Sequence, residues 1–370
     1  MRFIIQREVL LSSLQHMVGI VEHRQSIPIL SNVLLTVTEN SLTLTASNLE
    51  VELSEVVPLD GSAEEGAITA PAHKLLDIAR VASPNSSIQL ELQGHKLSIQ
   101  CENSHFIVMT LPAQDYPNIQ YNQNNIEFTS TQKEFHFLLQ QVYFAMAQQD
   151  VRYYLNGMLL EVTSKYLRSV ATDGHRLAMC TLAKDFTEAS HQCIIPRKAV
   201  TELLRLLSNT DTPLTVNVSD NHLKIDTNNV CFVSKLIDAK FPNYETVLPR
   251  GGDKVIVLNV ELFKKILSRT SIMTNKKYHG IKLVLRPSKL LVMARNNEQE
   301  EATEEIEVDY QGNNLDIAFN FIYFKDALAE FPSEEVKITF SGNNNSALLE
   351  PVIKDECHYV CFYVIMPMRL

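Results

Sequence analysis

The residues best placed to do chemistry lie in one short run, Asp173-Gly174-His175-Arg176. A carboxylate, an imidazole and a guanidinium within four positions could move a proton or hold an anion. Nucleophilic chemistry also needs a nucleophile within hydrogen-bond reach of its base, and this run supplies none. Asp-Gly is the commonest short hairpin signal, because Gly accepts the positive φ that a two-residue turn requires. The flanks fit a hairpin. Met158-Leu159-Leu160-Glu161-Val162 alternates apolar and polar residues, a polar break follows at Ser164-Lys165, and Leu167 to Ala171 alternates again. The run is therefore expected to be the polar tip of an antiparallel meander rather than a catalytic cluster.

The rest of the chain offers no other reactive constellation. There is no G-x-x-x-x-G-K-[ST], G-x-G-x-x-G or H-E-x-x-H pattern, and 11 glycines leave little material for phosphate cradles. The cysteines Cys101, Cys180, Cys193, Cys231, Cys357 and Cys361 form no C-x-x-C pair. Cys357-His358 with Cys361 could be drawn as metal ligands, but cysteines in an apolar strand are more often small core residues. Neither a metal nor a cofactor is expected. With 370 residues, 45% apolar and 21% charged, the chain suits two or three globular domains. No apolar run approaches the roughly 18 residues of a membrane span, and the start, MRFIIQREVLL, lacks the apolar core of a secretory signal. A cytoplasmic protein with no membrane partner is expected.

The elements that must position the hairpin repeat along the chain. Two Pro-, Asn- and Tyr-containing stretches, Leu111 to Asn118 and Phe241 to Gly252, read as linkers and divide it into 1–125, 126–249 and 250–370. Each segment has a first amphipathic helix: Glu8–Val21, Thr131–Met146 and Val260–Thr270. A strand pair follows: Asn32–Val37 with Leu42–Ala46, Gly157–Val162 with Leu167–Ala171, and Gly280–Leu285 with Lys289–Ala294. Each then turns at a similar place, at Ala46-Ser47-Asn48-Leu49, Ala171-Thr172-Asp173-Gly174 and Ala294-Arg295-Asn296-Asn297. A second helix comes next: Pro71–Val81, Pro196–Leu207 and Ile322–Glu330, with Pro in the first helical turn of the first two. The fold class is α+β: three repeated domains, each of two helices that bury an apolar stripe on antiparallel sheets. Similar domains joined head to tail by a constant rotation form an arc, and an arc can close into a ring.

Three stretches carry a resemblance to a known family. VRYYLNGM (151–158), ATDGHRLA (171–178) and the tail YVIMPMRL (363–370) resemble the bacterial sliding clamp, the beta subunit of DNA polymerase III, and the likeness runs from Met1 to Leu370. It implies clamp domains I, II and III assembled as a head-to-tail ring homodimer. Such a ring encloses double-stranded DNA without sequence specificity, as a non-catalytic processivity factor. It implies as partners a clamp loader, replicative and translesion DNA polymerases, mismatch-repair proteins and DNA ligase.

Site residues follow by position. A partner-peptide pocket takes Leu155, Thr172, Gly174, His175, Arg176, Leu177, Pro242, Val247, Ser346, Val364 and Met366. A shallower part takes Arg152, Tyr154, Tyr323, Pro367, Met368 and Arg369. Positions near DNA are Arg24, Arg80, Gln149, Arg197, Lys198, Tyr278 and Asn320. The dimer seam pairs Lys74, Lys96, Phe106 and Val108 with Ile272, Met273, Glu298, Glu300, Glu301 and Glu304. The chain departs from the family in carrying Asn103 and His105 where Arg is frequent, and Thr246 where Arg occurs.

Net charge bears on the DNA expectation. The chain totals −10, whereas DNA binders usually carry a basic footprint. The six expected helices contain ten basic residues and seven acidic ones, a net +3, which leaves −13 elsewhere. A mildly basic helical face suits a protein that slides, because tight phosphate binding would be steeply salt-dependent and gripping. The alternatives are an enzyme built on Asp173, His175 and Arg176, and a repeat scaffold that binds proteins but no DNA.

Overall fold

Each expected apolar stripe forms a helix. α1 (Arg7–Ile20) buries Leu10, Leu14, Met17 and Ile20, and α2 (Ala72–Val81) buries Leu75, Leu76 and Ala79. α3 (Gln132–Gln140) buries Phe135, Leu138 and Leu139, and α4 (Arg197–Leu206) buries Ala199, Val200 and Leu203. α5 (Val260–Thr270) buries Phe263, Ile266 and Leu267, and α6 (Phe321–Ala329) buries Phe324, Ala327 and Leu328. The three-and-four spacing puts these residues on one side of each helix. Only α3 differs by several residues from its expected extent. It stops at Gln140, and a 3-10 turn at Tyr143–Ala145 lets Val142, Ala145 and Met146 all reach the core. Pro71 and Pro196 lie just outside their helices, not in the first turn. Each ends a strand, opposite Asn32 and Gly157 respectively.

The structure is a computed structural model and describes residues 1–21, 27–59, 61–119, 121, 126–184, 190–249, 251–342, 345–353 and 358–368. The chain divides into two compact units, Met1–Lys133 with Thr201–Leu236, and Glu134–Val200 with Ile237–Leu370. The first unit holds a nine-stranded sheet and the four-stranded sheet of Arg2–Gln6, Ser87–Gln93, Lys96–Cys101 and Ser104–Met109. The second holds an eight-stranded sheet and the four-stranded sheet of Glu301–Glu307, Lys289–Arg295, Gly280–Arg286 and Leu315–Asn320. All strand pairing between named strands is antiparallel.

Both stretches expected to be linkers are packed segments. Leu111 and Pro112 pair with Thr69 and Ile68, and the buried Tyr116 hydroxyl accepts from the Ser47 N–H at 2.9 Å. In the other stretch Phe241 and Tyr244 are buried, and Tyr244–Thr246 forms a 3-10 turn. In each stretch a buried aromatic, Tyr116 before Pro117 and Phe241 before Pro242, ties the segment to the core.

The two large sheets are fusions of equivalent halves. In the nine-stranded sheet Val51–Pro58 pairs with Val230–Lys235, placing Leu53 opposite Phe232. In the eight-stranded sheet Arg176–Ala183 pairs with Tyr359–Ile365, placing Ala178 opposite Tyr363. The ladders show that these positions correspond. Counting from the strand residue before each helix, Leu34–Thr45–Ser54, Leu159–Val170–Met179 and Lys282–Met293–Thr303 are successive cross-strand partners. On the other half, Leu90–Ile99–Phe106, Val216–Ile225–Phe232 and Ile338–Leu349–Tyr363 correspond in the same way. Leu53 thus matches Ala178, Phe232 matches Tyr363, and both fusions have the same register.

Gly157 starts the strand beneath this core. A Cβ there would lie 2.7 Å from the Ile195 carbonyl oxygen, 2.8 Å from Ile194 Cγ2 and 2.9 Å from Ile237 Cδ1. Gly157→Ala is expected to destabilise the protein by about 1–3 kcal/mol, the usual cost of overpacking. Denaturant unfolding of the purified variant measures this, and an unchanged midpoint contradicts it.

Candidate functional site

The Asp173 run is a structural turn. The last ladder pair before it is Thr172 with Leu177, so four residues close the hairpin and not two. The Asp173 carboxylate accepts from the His175 N–H at 2.8 Å and from the Arg176 N–H at 3.0 Å. Asn48 holds the equivalent turn of the first repeat in the same way, on the Glu50 N–H at 3.1 Å and the Val51 N–H at 2.7 Å, and in the third repeat Asn296 accepts from the Glu300 N–H at 2.9 Å, four residues on. The position therefore asks for a side-chain oxygen that can accept backbone N–H groups, as in an Asx turn. Gly174 adopts φ +88°, and a Cβ there would meet the Arg152 guanidinium at 3.1 Å. The Thr172 hydroxyl donates to the Arg176 carbonyl at 2.6 Å.

Arg176 fixes the hairpin to its surroundings. Its guanidinium donates to Asp173 at 3.0 Å, to Asp326 at 2.6 Å and to the Phe144 carbonyl at 2.7 Å. It also lies 4.8 Å over the Tyr323 ring. His175 stacks on Tyr323 with ring centroids 6.4 Å apart. The tail strand, Tyr359–Ile365, lies between Arg176–Ala183 and Ala347–Pro351. Beyond it, Met366 donates its N–H to the His175 carbonyl at 2.9 Å, and Met368 donates to the Ala318 carbonyl at 2.8 Å.

Between hairpin and tail opens a cavity of about 310 Å³, lined by Arg152, Tyr154, Leu155, Thr172, Gly174, Arg176, Leu177, Pro242, Asn243, Tyr244, Val247 and Met366. Ten of these were expected as pocket residues from sequence. Asn243 and Tyr244 were not, although the Phe241-Pro242-Asn243-Tyr244 stretch containing them stood out. Of the remaining expected residues, Val364 is fully buried, paired with Leu177 behind the wall. His175 lines an adjoining cleft of about 410 Å³. Ser346, Tyr323, Pro367 and Met368 do not line the cavity, and Arg369 lies outside the described residues.

The positions expected near DNA are scattered. Arg24 lies outside the described residues. Arg80 is exposed, 3.5 Å from Asp77, and Tyr278 is exposed. Gln149 and Arg197 line the 410 Å³ cleft, where Arg197 donates to the Met146 carbonyl at 2.7 Å. Lys198 is half-buried beside it in α4. Asn320 caps α6, accepting from the Ile322 N–H at 2.9 Å.

Of the seam candidates, Lys74, Lys96, Ile272, Glu298, Glu300 and Glu301 are exposed, whereas Phe106 and Met273 are half-buried. Glu304 is clamped by Arg269 at 2.6 and 2.8 Å. Val108 is a core residue. The outward face of its strand carries Ile107 and Met109, 57% and 61% exposed. Sequence alone gave no phase for that strand, because Phe106-Ile107-Val108-Met109 is apolar throughout.

Among the described residues no group of three or more His, Cys, Asp or Glu could hold a metal ion, and Cys357 lies outside them. No described helix is long and apolar enough to cross a membrane.

Residues 1–120, 129–243 and 245–369 match the N-terminal, central and C-terminal domains of the DNA polymerase III beta subunit. The chain belongs to this family. It is 47% identical to the beta sliding clamp of Pseudomonas aeruginosa and 40% identical to that of Escherichia coli, each over 100% of both chains. A crystal structure of the Pseudomonas aeruginosa clamp bound to griselimycin superposes with a TM-score of 0.95 at 46% identity, covering 100% of both chains. The fold is that of three beta-clamp domains, and the protein is a sliding-clamp processivity factor, not an enzyme. Clamps of this family form dimers around DNA and bind polymerase partners.

One ion pair at the groove rim gives a pH test. Hydrogen bonds from the Arg152 guanidinium, then from its backbone N–H, hold the Asp150 carboxyl down at about 2. A lowered folded-state value means that the pair supports the fold above the ordinary carboxylate range, and that this support fades as pH falls from about 4 to about 2. Carboxyl-carbon NMR should show Asp150 titrating near 2 and returning toward the ordinary range in Arg152→Ala. An unchanged midpoint in the variant contradicts the assignment.

Proposed function

We propose that two copies close head to tail through the two strand edges that the internal fusions leave open, forming a ring that holds double-stranded DNA by topology. One edge is Ser104–Met109 and the other is Glu301–Glu307. Each is hydrogen-bonded on one side only among the described residues. Open edges invite strand addition. The carrying observation is the shared register of the two internal fusions. Phe106 occupies the position of Phe232 and Tyr363, and Ala302 that of Leu53 and Ala178, so Phe106 of one copy falls opposite Ala302 of the next. Ile107 then meets Glu301 and Ser104 meets Glu304. Ile272, 75% exposed, with Met273 provides apolar surface beside this edge. Lys74 and Lys96 on one side face the charges of Glu298, Glu300, Glu301 and Glu304 on the other, an apolar centre with a charged rim.

The register makes a sharp test. Cys180 and Cys361 occupy the internal position equivalent to Glu304 and Ser104, and their sulfurs are 3.1 Å apart. A double variant, Ser104→Cys with Glu304→Cys, is expected to form an intermolecular disulfide on mild oxidation, seen as a covalent dimer with the linked peptides identified by mass. Crosslinking of Val108→Cys with Glu304→Cys at equal yield would contradict the register.

Inside the ring, Arg24, Arg80, Gln149, Arg197, Lys198, Tyr278 and Asn320 are proposed to meet the phosphate backbone weakly and without reading bases. The protein loaded on nicked circular DNA is expected to be released when the circle is linearised. Equal retention before and after linearisation, in a gel-filtration assay, refutes topological binding.

The 310 Å³ cavity is proposed as the site for a short partner peptide with Leu and Phe anchors and a Gln. Its apolar wall and few polar groups fit such a ligand. The residues in this reading are Arg152, Tyr154, Leu155, Thr172, Gly174, Arg176, Leu177, Pro242, Val247 and Met366, with His175, Tyr323, Ser346, Val364, Pro367 and Met368 behind or beside them, and Arg369 as a further expected contact outside the described residues. Polymerases, mismatch-repair proteins, ligase and the clamp loader would share it, and two grooves per ring would raise their effective concentration at DNA.

A further inference from the structure

The Pro242–Val247 wall of the groove belongs to no strand, so no sheet ladder fixes its distance from Leu155 and Leu177. A polar row centred on the buried Glu161 meets it instead. Gln192, Glu161, Arg168 and Thr181 are successive cross-strand partners on four adjacent strands. Gln192 Nε2 donates to Glu161 Oε1 at 2.6 Å, Arg168 Nε donates to Thr181 Oγ1 at 2.9 Å, and Arg168 Nη1 lies 3.5 Å from Glu161 Oε2. The Tyr244 hydroxyl lands at the centre of this row. It donates to Glu161 Oε2 at 2.6 Å and accepts from Arg168 Nη1 at 2.9 Å.

The surroundings make this contact hard to replace. Glu161 is 5% exposed and Tyr244 7%. A carboxylate at that depth must keep its hydrogen-bond donors, since losing one leaves a buried charge short of partners. The Arg168 guanidinium also lies 4.4 Å over the Tyr166 ring, which limits its freedom to move away. Burial, reinforced by the Glu161 carboxylate, pushes the Tyr244 hydroxyl well above its ordinary range, so it remains a donor. Tyr244 belongs to one buried apolar cluster with Leu159, Val170, Leu177 and Met179, and it also lines the groove.

We propose that Tyr244 sets the width of the groove and thereby the apolar side chain it selects, with Glu161 and Arg168 as positioning residues that act through its hydroxyl. This rests on the groove being the peptide site. The hydroxyl is taken up by Glu161 and Arg168, neither of which lines the cavity, so its removal acts first on that row rather than on a ligand contact. Any effect on binding must come through the position of the wall.

The test uses the full-length protein on a biosensor surface. The probes are a pentapeptide that starts with Gln and ends in Leu-Phe, and the same peptide with its final Phe replaced by Ala. Tyr244→Phe is expected to raise the dissociation rate of the first peptide about fivefold, the order that a typical intramolecular hydrogen bond carries. It should also narrow the discrimination between the two peptides while the protein remains folded by circular dichroism. Arg168→Lys, which keeps the charge but loses the fork, is expected to act in the same direction. The two together should cost less than the sum of each alone, because both act through one contact. Rates and discrimination unchanged in Tyr244→Phe, with the wild type binding normally, overturn the proposal. Failure of the wild type to bind either peptide refutes the groove itself, a separate result.

Discussion

A β-strand at the edge of a sheet carries a row of N–H and C=O groups that need partners, and this fold is arranged around where those partners are found. The central repeat gives one sheet to its N-terminal neighbour and the other to its C-terminal neighbour, which is why contacts divide the chain into two units rather than three. Val51–Pro58 meets Val230–Lys235, and Arg176–Ala183 meets Tyr359–Ile365. At both fusions a large aromatic, Phe232 or Tyr363, faces a smaller residue, Leu53 or Ala178. In Val51–Pro58, where buried residues alternate, a one-residue slip would turn the buried set toward solvent, so the apolar pattern there enforces the register.

The groove is a consequence of the second fusion. Because Arg176–Ala183 and the tail strand are neighbours, Leu177 lies across from Val364, and the hairpin and the end of the chain meet at one place. Arg176 then holds the hairpin to Asp326 and to the Phe144 carbonyl, joining segments 150 and 32 residues away. This accounts for the absence of catalytic character in Asp173, His175 and Arg176. The carboxylate is spent on two backbone N–H groups and the guanidinium, and the imidazole is stacked on Tyr323. The same three residue types that suggest chemistry in a sequence serve here to fix the shape of a loop.

A polar row with a buried carboxylate at its centre is a costly way to hold a segment, since Glu161 must keep its partners. It gives something that an apolar contact does not: hydrogen bonds have direction, and the Tyr244 hydroxyl can meet Glu161 and Arg168 together in one position. A contact of that kind fixes a wall more narrowly than apolar packing does, which suits the peptide groove proposed above.

Much of this protein was legible in its amino-acid order. The helical stripes of α1, α2, α4, α5 and α6 are strong periodic signals, and their limits agree with expectation to within one residue. The threefold recurrence of strand pair, turn and helix was visible too, as was the tail strand ending before Pro367. What sequence did not contain was phase and partnership. Phe106 to Met109 is apolar at every position, so only packing decides that Val108 turns inward and Ile107 outward. Asp-Gly, as a local signal, implies a two-residue turn, whereas the four-residue closure follows from the ladder on either side. Asn243 and Tyr244 enter the groove because Tyr244 reaches Glu161, 83 residues away. Local order writes the elements, since helix and strand periods depend on near neighbours. Which strands fuse, and so where a groove opens, depends on contacts between distant residues, and those exist only once the chain has folded.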